Sequence, residues 1–505
     1  MGLRSRVQIV NIPPSRGVAM TISLSQQLTR KKPIALATDP SHPEHHHAGP
    51  ELNRTIGTFA LTMFGVGATV GTGIFFVLQE AVPDAGPAVI ISFIIAGLAA
   101  GLSALCYAEL ASAIPVSGST YSYAYHALGE LVAMVIAACV LLEYGVAASA
   151  VAVGWSGYLN EFLDKTIGMP FPDALSYSPI PFEDNTTGII NLPAVVLVLL
   201  CTLLLVRGAS ESARANTIMV LVKLAVLVLF IIIGLTAFQT DRFDNFWASG
   251  SAGISAAAGT IFFSFIGLDA VSTAGEEVKD PQRALPRALM AALVIVISVY
   301  VLVALAGVGA QPLEEFSSDE QQSAGLAVIL ENITGNAVAG TVLAAGAVIS
   351  IFSVTLVTLY GQTRILFAMG RDRMLPDRFA EVHPRTLTPV FNTVVVGVVV
   401  ALIAGFVPSD YLWDTVSIGT LMAFSVVALG VLVLRRTRPD LHRPFKVPGY
   451  PVTPVLTIIV CAYVLSGLAA TTWIVFGIWL AVVLAFYFLW GRRNSRLQTA
   501  DEEAS

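Results

Sequence analysis

Three ionisable side chains stand inside otherwise apolar stretches: Glu143 in Leu141-Leu142-Glu143-Tyr144-Gly145, Lys223 in Val220-Leu221-Val222-Lys223-Leu224, and Asp269 in Ile266-Gly267-Leu268-Asp269-Ala270. A charge removed from water is costly unless it is paired, so each is a candidate for handling a proton or a cation. Lys223 lies nine residues past Arg214, about 14 Å along a helix and near the middle of an apolar layer about 30 Å thick. Two readings follow from that depth. Lys223 could take up and release a proton, or it could be a permanently neutral or paired group tying its own segment to another. Glu143 could bind a substrate cation, share a proton, or be a protonated structural acid. Asp269 is an accessory candidate that could cap a broken helix or pair with a base. Glu109, near the end of its apolar run, reads as structural.

A second kind of chemistry needs no side chains. Gly65-Val66-Gly67-Ala68-Thr69-Val70-Gly71-Thr72-Gly73 puts four glycines into nine residues, each weakening a helix by about 1 kcal/mol relative to alanine. If the helix opens there, its second half starts with free backbone N–H groups at a positive dipole end, suited to a carboxylate. Close helix packing through Gly67-x-x-x-Gly71 is the competing reading. Phe263-Ser264-Phe265-Ile266-Gly267-Leu268-Asp269-Ala270-Val271-Ser272 repeats the pattern of glycine, serine and an acid within an apolar run.

These residues must be held by apolar elements. Of 505 residues 55% are hydrophobic and 12% charged, against about a quarter charged in soluble domains. That excludes an ordinary soluble enzyme and predicts an all-α polytopic membrane protein. Spans are expected near 57–79, 87–110, 131–158, 191–207, 215–238, 252–275, 288–310, 336–363, 390–407, 415–434, 454–470 and 473–490. The two glycine-rich breaks fall in the first and sixth, the matching members of two five-helix halves, as in transporters with inverted repeats. The expected organisation is a largely disordered cytoplasmic segment 1–50, a first five-helix repeat 51–240, a second 241–434, two last helices 435–493 and a cytoplasmic tail 494–505. With an even span count and the N-terminus inside, 25 of 28 lysines and arginines are cytoplasmic, Lys165 and Arg242 lie outside, and Lys223 is within a span.

The net charge of −6 offers no basic surface for nucleic acid. Cys106, Cys139, Cys201 and Cys461 all sit in apolar runs and read as packing residues. His42, His45, His46 and His47 have no cysteine or carboxylate array to complete a metal site and read as part of a solvated tail, as do Asp501, Glu502 and Glu503. Asn185-Thr186-Thr187 and Asn332-Ile333-Thr334 are glycosylation-type triplets in loops expected outside. No phosphate loop ending in Lys-Ser or Lys-Thr occurs, and no histidine lies within a span, so neither an enzyme nor a cofactor is expected.

The chain resembles the cationic amino acid transporter family of the amino acid–polyamine–organocation superfamily, from about Lys31 to Arg493. The resemblance rests on the glycine run 65–73, Cys106-Tyr107-Ala108-Glu109, Pro115-Val116-Ser117-Gly118-Ser119, Gly267-Leu268-Asp269-Ala270 running into Glu276-Glu277-Val278-Lys279-Asp280-Pro281-Gln282-Arg283, and Tyr360-Gly361-Gln362-Thr363-Arg364. It implies a leucine-transporter-like fold of five-plus-five inverted repeats and two extra helices, moving L-amino acids by alternating access. It implies that Thr69, Val70, Gly71, Thr72 and Gly73 hold the substrate carboxylate and that the carbonyls of Phe263, Ser264 and Ile266 hold its amine. It further implies that Lys223 stands where sodium-coupled relatives bind sodium, that Glu143 is the third-span acid, and that Thr358 lines the side-chain pocket.

The function expected is proton-coupled symport of L-amino acids across the plasma membrane, with a cationic or broad range, Lys223 and Glu143 handling the proton, and Phe263 as a gate. The partners expected are an L-amino acid, a proton and the lipid bilayer. Thr358, small and polar, leaves room for a long basic side chain; Phe263 and Phe265 suit apolar substrates equally. Sodium-coupled or exchange transport and a non-transporting amino-acid sensor are the alternatives.

Overall fold

A chain whose backbone cannot reach water must satisfy its own N–H and C=O groups, and the long apolar runs do so as helices. The computed structural model describes residues 24–34, 52, 54–180, 188–317, 325–466 and 470–497. The histidines at 42 and 45–47, the triplet at 185–187 and the acids at 501–503 lie outside these residues.

The first half of the chain forms α1 (Thr58–Thr69), α2 (Thr72–Ala85), α3 (Val89–Ala113), α4 (Ser119–Ala127), α5 (Glu130–Ile167), α6 (Leu192–Arg207) and α7 (Ala209–Thr236). Then come α8 (Gly250–Phe262), the short α9 (Ala270–Thr273), α10 (Pro281–Ala310), α11 (Leu326–Thr334), α12 (Ala337–Arg371), α13 (Val390–Phe406), α14 (Ser409–Thr437), α15 (Val452–Ser466) and α16 (Ala470–Phe486). No strand occurs among the described residues; the one β-type pairing is an isolated bridge between Ile56 and Val278. Seven helical runs are long and apolar enough to cross a membrane, and four further apolar helices, α1, α6, α13 and α15, are of 10–17 residues. Asn191 and Asn336 start α6 and α12 by accepting from Ala194 N and Val338 N, which satisfies donors that a helix start leaves open.

The interior is packed with apolar side chains, as in a soluble protein, but the surface is apolar as well. Leu203 is 53% exposed and Ile478 63%, whereas Lys223, Glu277 and Arg364 are fully buried. An apolar exterior with the few charges of the span region partnered inside is what a bilayer solvent selects. α5 packs against α12 and α14, α10 against α3 and α1, and α7 against α12 and α10, while α15 and α16 lie outside against α14 and α5.

Several helices overrun the apolar windows seen in the sequence. α5 continues to Ile167 and α12 to Arg371, because their polar ends find partners. Arg364 Nε donates to Glu277 Oε1 at 2.7 Å with both side chains buried, and Arg371 Nη1 donates to Glu276 Oε2 at 2.8 Å. Glu109 is structural as expected: it accepts from Arg435 Nε at 2.9 Å and Val447 N at 2.7 Å, pinning the α14–α15 connection to α3.

Glu276, in the connection after α9, gives a pH prediction. Burial alone would push its carboxyl up, but the Arg371 guanidinium and the Ser117 donors outweigh this and hold it below the ordinary carboxylate range. A depressed folded-state value contributes stability that is complete above the unfolded value of about 4.3 and is lost as pH falls through the folded value. Acidification through and below about pH 4 should therefore lower the melting temperature of the native protein more than that of Glu276→Gln, as read by differential scanning fluorimetry in detergent. Parallel melting curves for the two would refute the assignment.

Candidate functional site

Two chain breaks meet near the middle of the helix bundle. The first separates α1 from α2: Val70 leaves the helix with φ −75° and ψ 89°, and Gly71 follows with φ −126° and ψ −146°. No side chain caps the start of α2, so its first-turn N–H groups lie at an open positive dipole end. The second break follows α8, where one tight turn at Phe263–Phe265 leads through Gly267 to α9. Gly267 has φ +106°, and a Cβ there would lie 2.8 Å from Ala68 O, so only glycine lets the second break approach the first. At Gly73 a Cβ would lie 2.6 Å from Ser264 Oγ, which places the two candidate binding loops in direct contact.

Lys223, on α7, fastens this region. Its Nζ donates to Gly67 O at 3.0 Å, Val70 O at 2.5 Å and Ser353 Oγ at 2.8 Å. Ser353 Oγ spends its own proton on Ser350 O (2.8 Å), and Ser350 Oγ donates to Val70 O (3.1 Å). The lysine thus faces three acceptors, which matches the three donors of an ammonium and not the two of a neutral amine.

Residues that the sequence reading passed over complete the arrangement. The Tyr300 hydroxyl, on α10, lies 3.0 Å from both Thr69 O and Ser264 O, one phenol serving a carbonyl from each break. Asn216 Nδ2 donates to Met63 O at 3.2 Å from α7. The signal for Tyr300 was a lone phenol in the run Val294–Val303; for Ser350 and Ser353 it was two hydroxyls three residues apart, on one helix face.

The structure brings Thr69, Val70, Gly71, Gly73, Ser264 and Lys223 into this one region. Thr72 starts α2 and Phe263 opens the turn after α8, but their side chains lie outside the described residues, so the gate expected at Phe263 does too. Ile266 is half-buried in the turn before Gly267. Val354 packs where a Gly71 side chain would be, and Thr358 lies one helical turn further along that face of α12. The Thr358 hydroxyl donates to Val354 O at 2.8 Å, so its proton is turned toward its own helix.

The acids form a separate group. Asp269 Oδ2 accepts from the Tyr144 hydroxyl at 2.5 Å, while Glu143 lies against Gly419 of α14. Oδ1 of Asp269 and Oε2 of Glu143 are buried without a partner among the described residues. Asp269 was expected to cap a helix or meet a base; the hydroxyl it meets instead links α5 to the second break. Buried acceptors without donors are costly to leave empty, so this pair marks a place where a proton or cation would be stabilised. Among the described residues no group of three or more His, Cys, Asp or Glu could hold a metal ion, and the four cysteines are free and buried.

Comparison with known proteins adds an independent line. The amino acid permease family model matches residues 56–491. A methylthioribose transporter of Bacillus subtilis is 42% identical over 471 residues, 93% of this chain and 99% of its own. A branched-chain amino acid permease of the same organism is 42% identical over 88% of this chain and 95% of its own. A vacuolar cationic amino acid transporter of Arabidopsis thaliana is 37% identical over 78% of this chain and 65% of its own.

Proposed function

The chain belongs to the amino acid permease family of the amino acid–polyamine–organocation superfamily, and from that premise we propose that it is a proton-coupled symporter of L-amino acids. The observation that carries the reading is the contact between an uncapped helix start at Gly71–Gly73 and the carbonyl-bearing turn at Phe263–Ile266. N–H groups on one side and C=O groups on the other suit the carboxylate and the ammonium that every amino acid carries. Val354 and Thr358 then face the variable side chain. No bond of the substrate is made or broken.

In this reading the twelve spans expected from the sequence cross the plasma membrane as two inverted five-helix repeats, 51–240 and 241–434, followed by two helices, with both termini cytoplasmic. The lysine and arginine distribution supports that orientation. Lys223 carries the coupling proton, Glu143 contributes a second protonatable group and Asp269 positions Tyr144. The range is cationic or broad, with the branched-chain permease relative making leucine a necessary test substrate alongside arginine and alanine.

Purified protein in liposomes, in sodium-free buffer, should accumulate at least one of radiolabelled arginine, leucine or alanine when an inward proton gradient is imposed, and not without it. Accumulation that needs sodium or internal substrate would replace proton symport by sodium coupling or exchange. Binding without uptake would make the protein a sensor. Competition by methylthioribose, a sugar with neither ammonium nor carboxylate, would overturn the two-break capture of a zwitterion.

A further inference from the structure

The two terminal segments of the chain meet at two buried acidic residues, Glu130 and Asp372. Within the stretch 1–50, expected to be largely disordered, residues 24–34 pack against the end of the bundle where α4 leads into α5 and α12 stops. Glu130 N donates to Arg30 O at 2.9 Å, Lys32 N donates to Tyr125 O at 3.2 Å, and the His126 ring donates through Nδ1 to Lys32 O at 2.9 Å. The side chains of the same segment end on acids: Arg30 Nη2 reaches Glu130 Oε2 at 3.3 Å and Lys32 Nζ reaches Asp372 Oδ1 at 2.5 Å. Glu130 is fully buried and Asp372 2% exposed.

The other end of the chain meets the same two residues, at the carboxylate of Glu130 and at the backbone carbonyl of Asp372. The Tyr487 hydroxyl donates to Glu130 Oε1 at 2.9 Å, Ser495 Oγ donates to Glu130 Oε2 at 2.8 Å, and Arg496 N donates to Asp372 O at 3.1 Å. Tyr125 and Tyr121 complete the two carboxylates from α4, at 3.1 and 3.0 Å. Tyr487 and Ser495 hold the Glu130 carboxylate in the place where Arg30 meets it, and Arg496 N holds the backbone of Asp372, whose carboxylate meets Lys32. Each terminal segment therefore docks on a residue that the other helps to position, which couples them reciprocally.

The placement gives this coupling a mechanical consequence. Residues 24–34 are fixed to α4, α5 and α12, whereas Ile56, just before α1, is fixed elsewhere: its N–H donates to Glu277 O at 3.0 Å and its C=O accepts from Lys279 N at 3.1 Å. The half-helix α1 leads straight into the first break. The outer end of α1 and residues 24–34 are thus each fixed by their own bonds, Ile56 to Glu277 and Lys279 and residues 30–32 to the ends of α4, α5 and α12.

We propose that the two terminal segments form a single clasp over Glu130 and Asp372, and that this clasp must undock before the end of the bundle bearing the termini can open. The gating role rests on the transporter reading; the shared docking does not.

The test uses full-length protein in which the four buried native cysteines stay in place and a reporter thiol is added as Ile34→Cys, a 6% exposed position on the N-terminal segment. A second protein carries Ser272→Cys, buried between α9 and α4 where Ser272 meets Ser119 at 2.7 Å. Thiol modification by a membrane-impermeant maleimide is timed in each, alone and combined with Lys32→Gln or with Tyr487→Phe plus Ser495→Ala. Either combination should speed labelling of both reporters at least about tenfold, the scale of one lost hydrogen bond to a charged group. If the Tyr487→Phe, Ser495→Ala protein labels Ile34→Cys at the parent rate, the segments dock independently and the shared clasp is wrong. If Ile34→Cys is released while Ser272→Cys stays protected, the clasp is not a gate. Only variants that elute as the parent does on size exclusion are scored. None of these rates depends on uptake, so a protein that transports nothing would still show whether the clasp exists.

Discussion

Lys223→Met should abolish accumulation driven by a proton gradient, so that substrate in the liposomes rises no higher than its external concentration. The expectation follows from donors and acceptors. Nζ meets Gly67 O, Val70 O and Ser353 Oγ, and Ser353 has already given its proton to Ser350 O. An ammonium donates to all three acceptors; a neutral amine has two N–H groups and must give up one of these bonds, leaving Val70 O to Ser350 Oγ alone when that bond is the one lost. Losing one hydrogen bond from a charged donor costs about 1–3 kcal/mol, and two of the three acceptors are carbonyls of the first break. Protonation and the geometry of the break are therefore one equilibrium, and a population shift of that size is about five- to 150-fold. Methionine fills the volume of the lysine stem without offering a donor, so the break loses its dependence on pH. Solute counterflow, which needs no gradient, separates coupling from collapse. Counterflow retained with pH-driven accumulation lost is the expected pattern. A Lys223→Met protein that still concentrates substrate under a proton gradient would refute the role of Lys223.

The parts of this arrangement that the sequence announced are those with a compositional signature. Four glycines in nine residues and an ionisable group deep in an apolar run are each improbable without a reason, and both breaks and Lys223 were legible on that ground. Tyr300 was not, because one phenol in an apolar run looks like bulk until its hydroxyl is found between Thr69 O and Ser264 O. Thr358 was legible as a position on α12 but not in its orientation, since a hydroxyl in a helix can turn back to the carbonyl four residues earlier, as it does to Val354 O. The end of α12 runs past its apolar window where Arg364 and Arg371 pair with Glu277 and Glu276, and hydropathy does not see ion pairs. The order of residues 24–34 was illegible for the same reason: Arg30 and Lys32 find partners 100 and 340 residues away. A polar, aperiodic segment contains no local mark of such distant docking.

The contact between the two breaks yields the second large effect. Gly73→Ala should weaken substrate uptake by about five- to 150-fold, the range that corresponds to about 1–3 kcal/mol of overpacking. The added Cβ would stand 2.6 Å from Ser264 Oγ, 3.0 Å from its Cβ and 3.1 Å from its Cα. Rotating the serine relieves only the first contact. The backbone at Ser264 has to retreat from the start of α2, and it is tied to α10 through Tyr300. The N–H groups of one break and the carbonyls of the other are thereby moved apart, and a site that must hold both ends of one small molecule loses its spacing. Ser264→Gly removes Oγ and Cβ and leaves the 3.1 Å approach to Cα as the one remaining close contact. In the double variant Gly73→Ala, Ser264→Gly, uptake should therefore recover most of the loss, although Ser264→Gly alone gives no gain. Such non-additivity between neighbours is the signature of a direct contact. If instead the double variant is as impaired as the product of the two single effects, the breaks do not touch in the transporting protein and the capture of substrate between them is the wrong geometry.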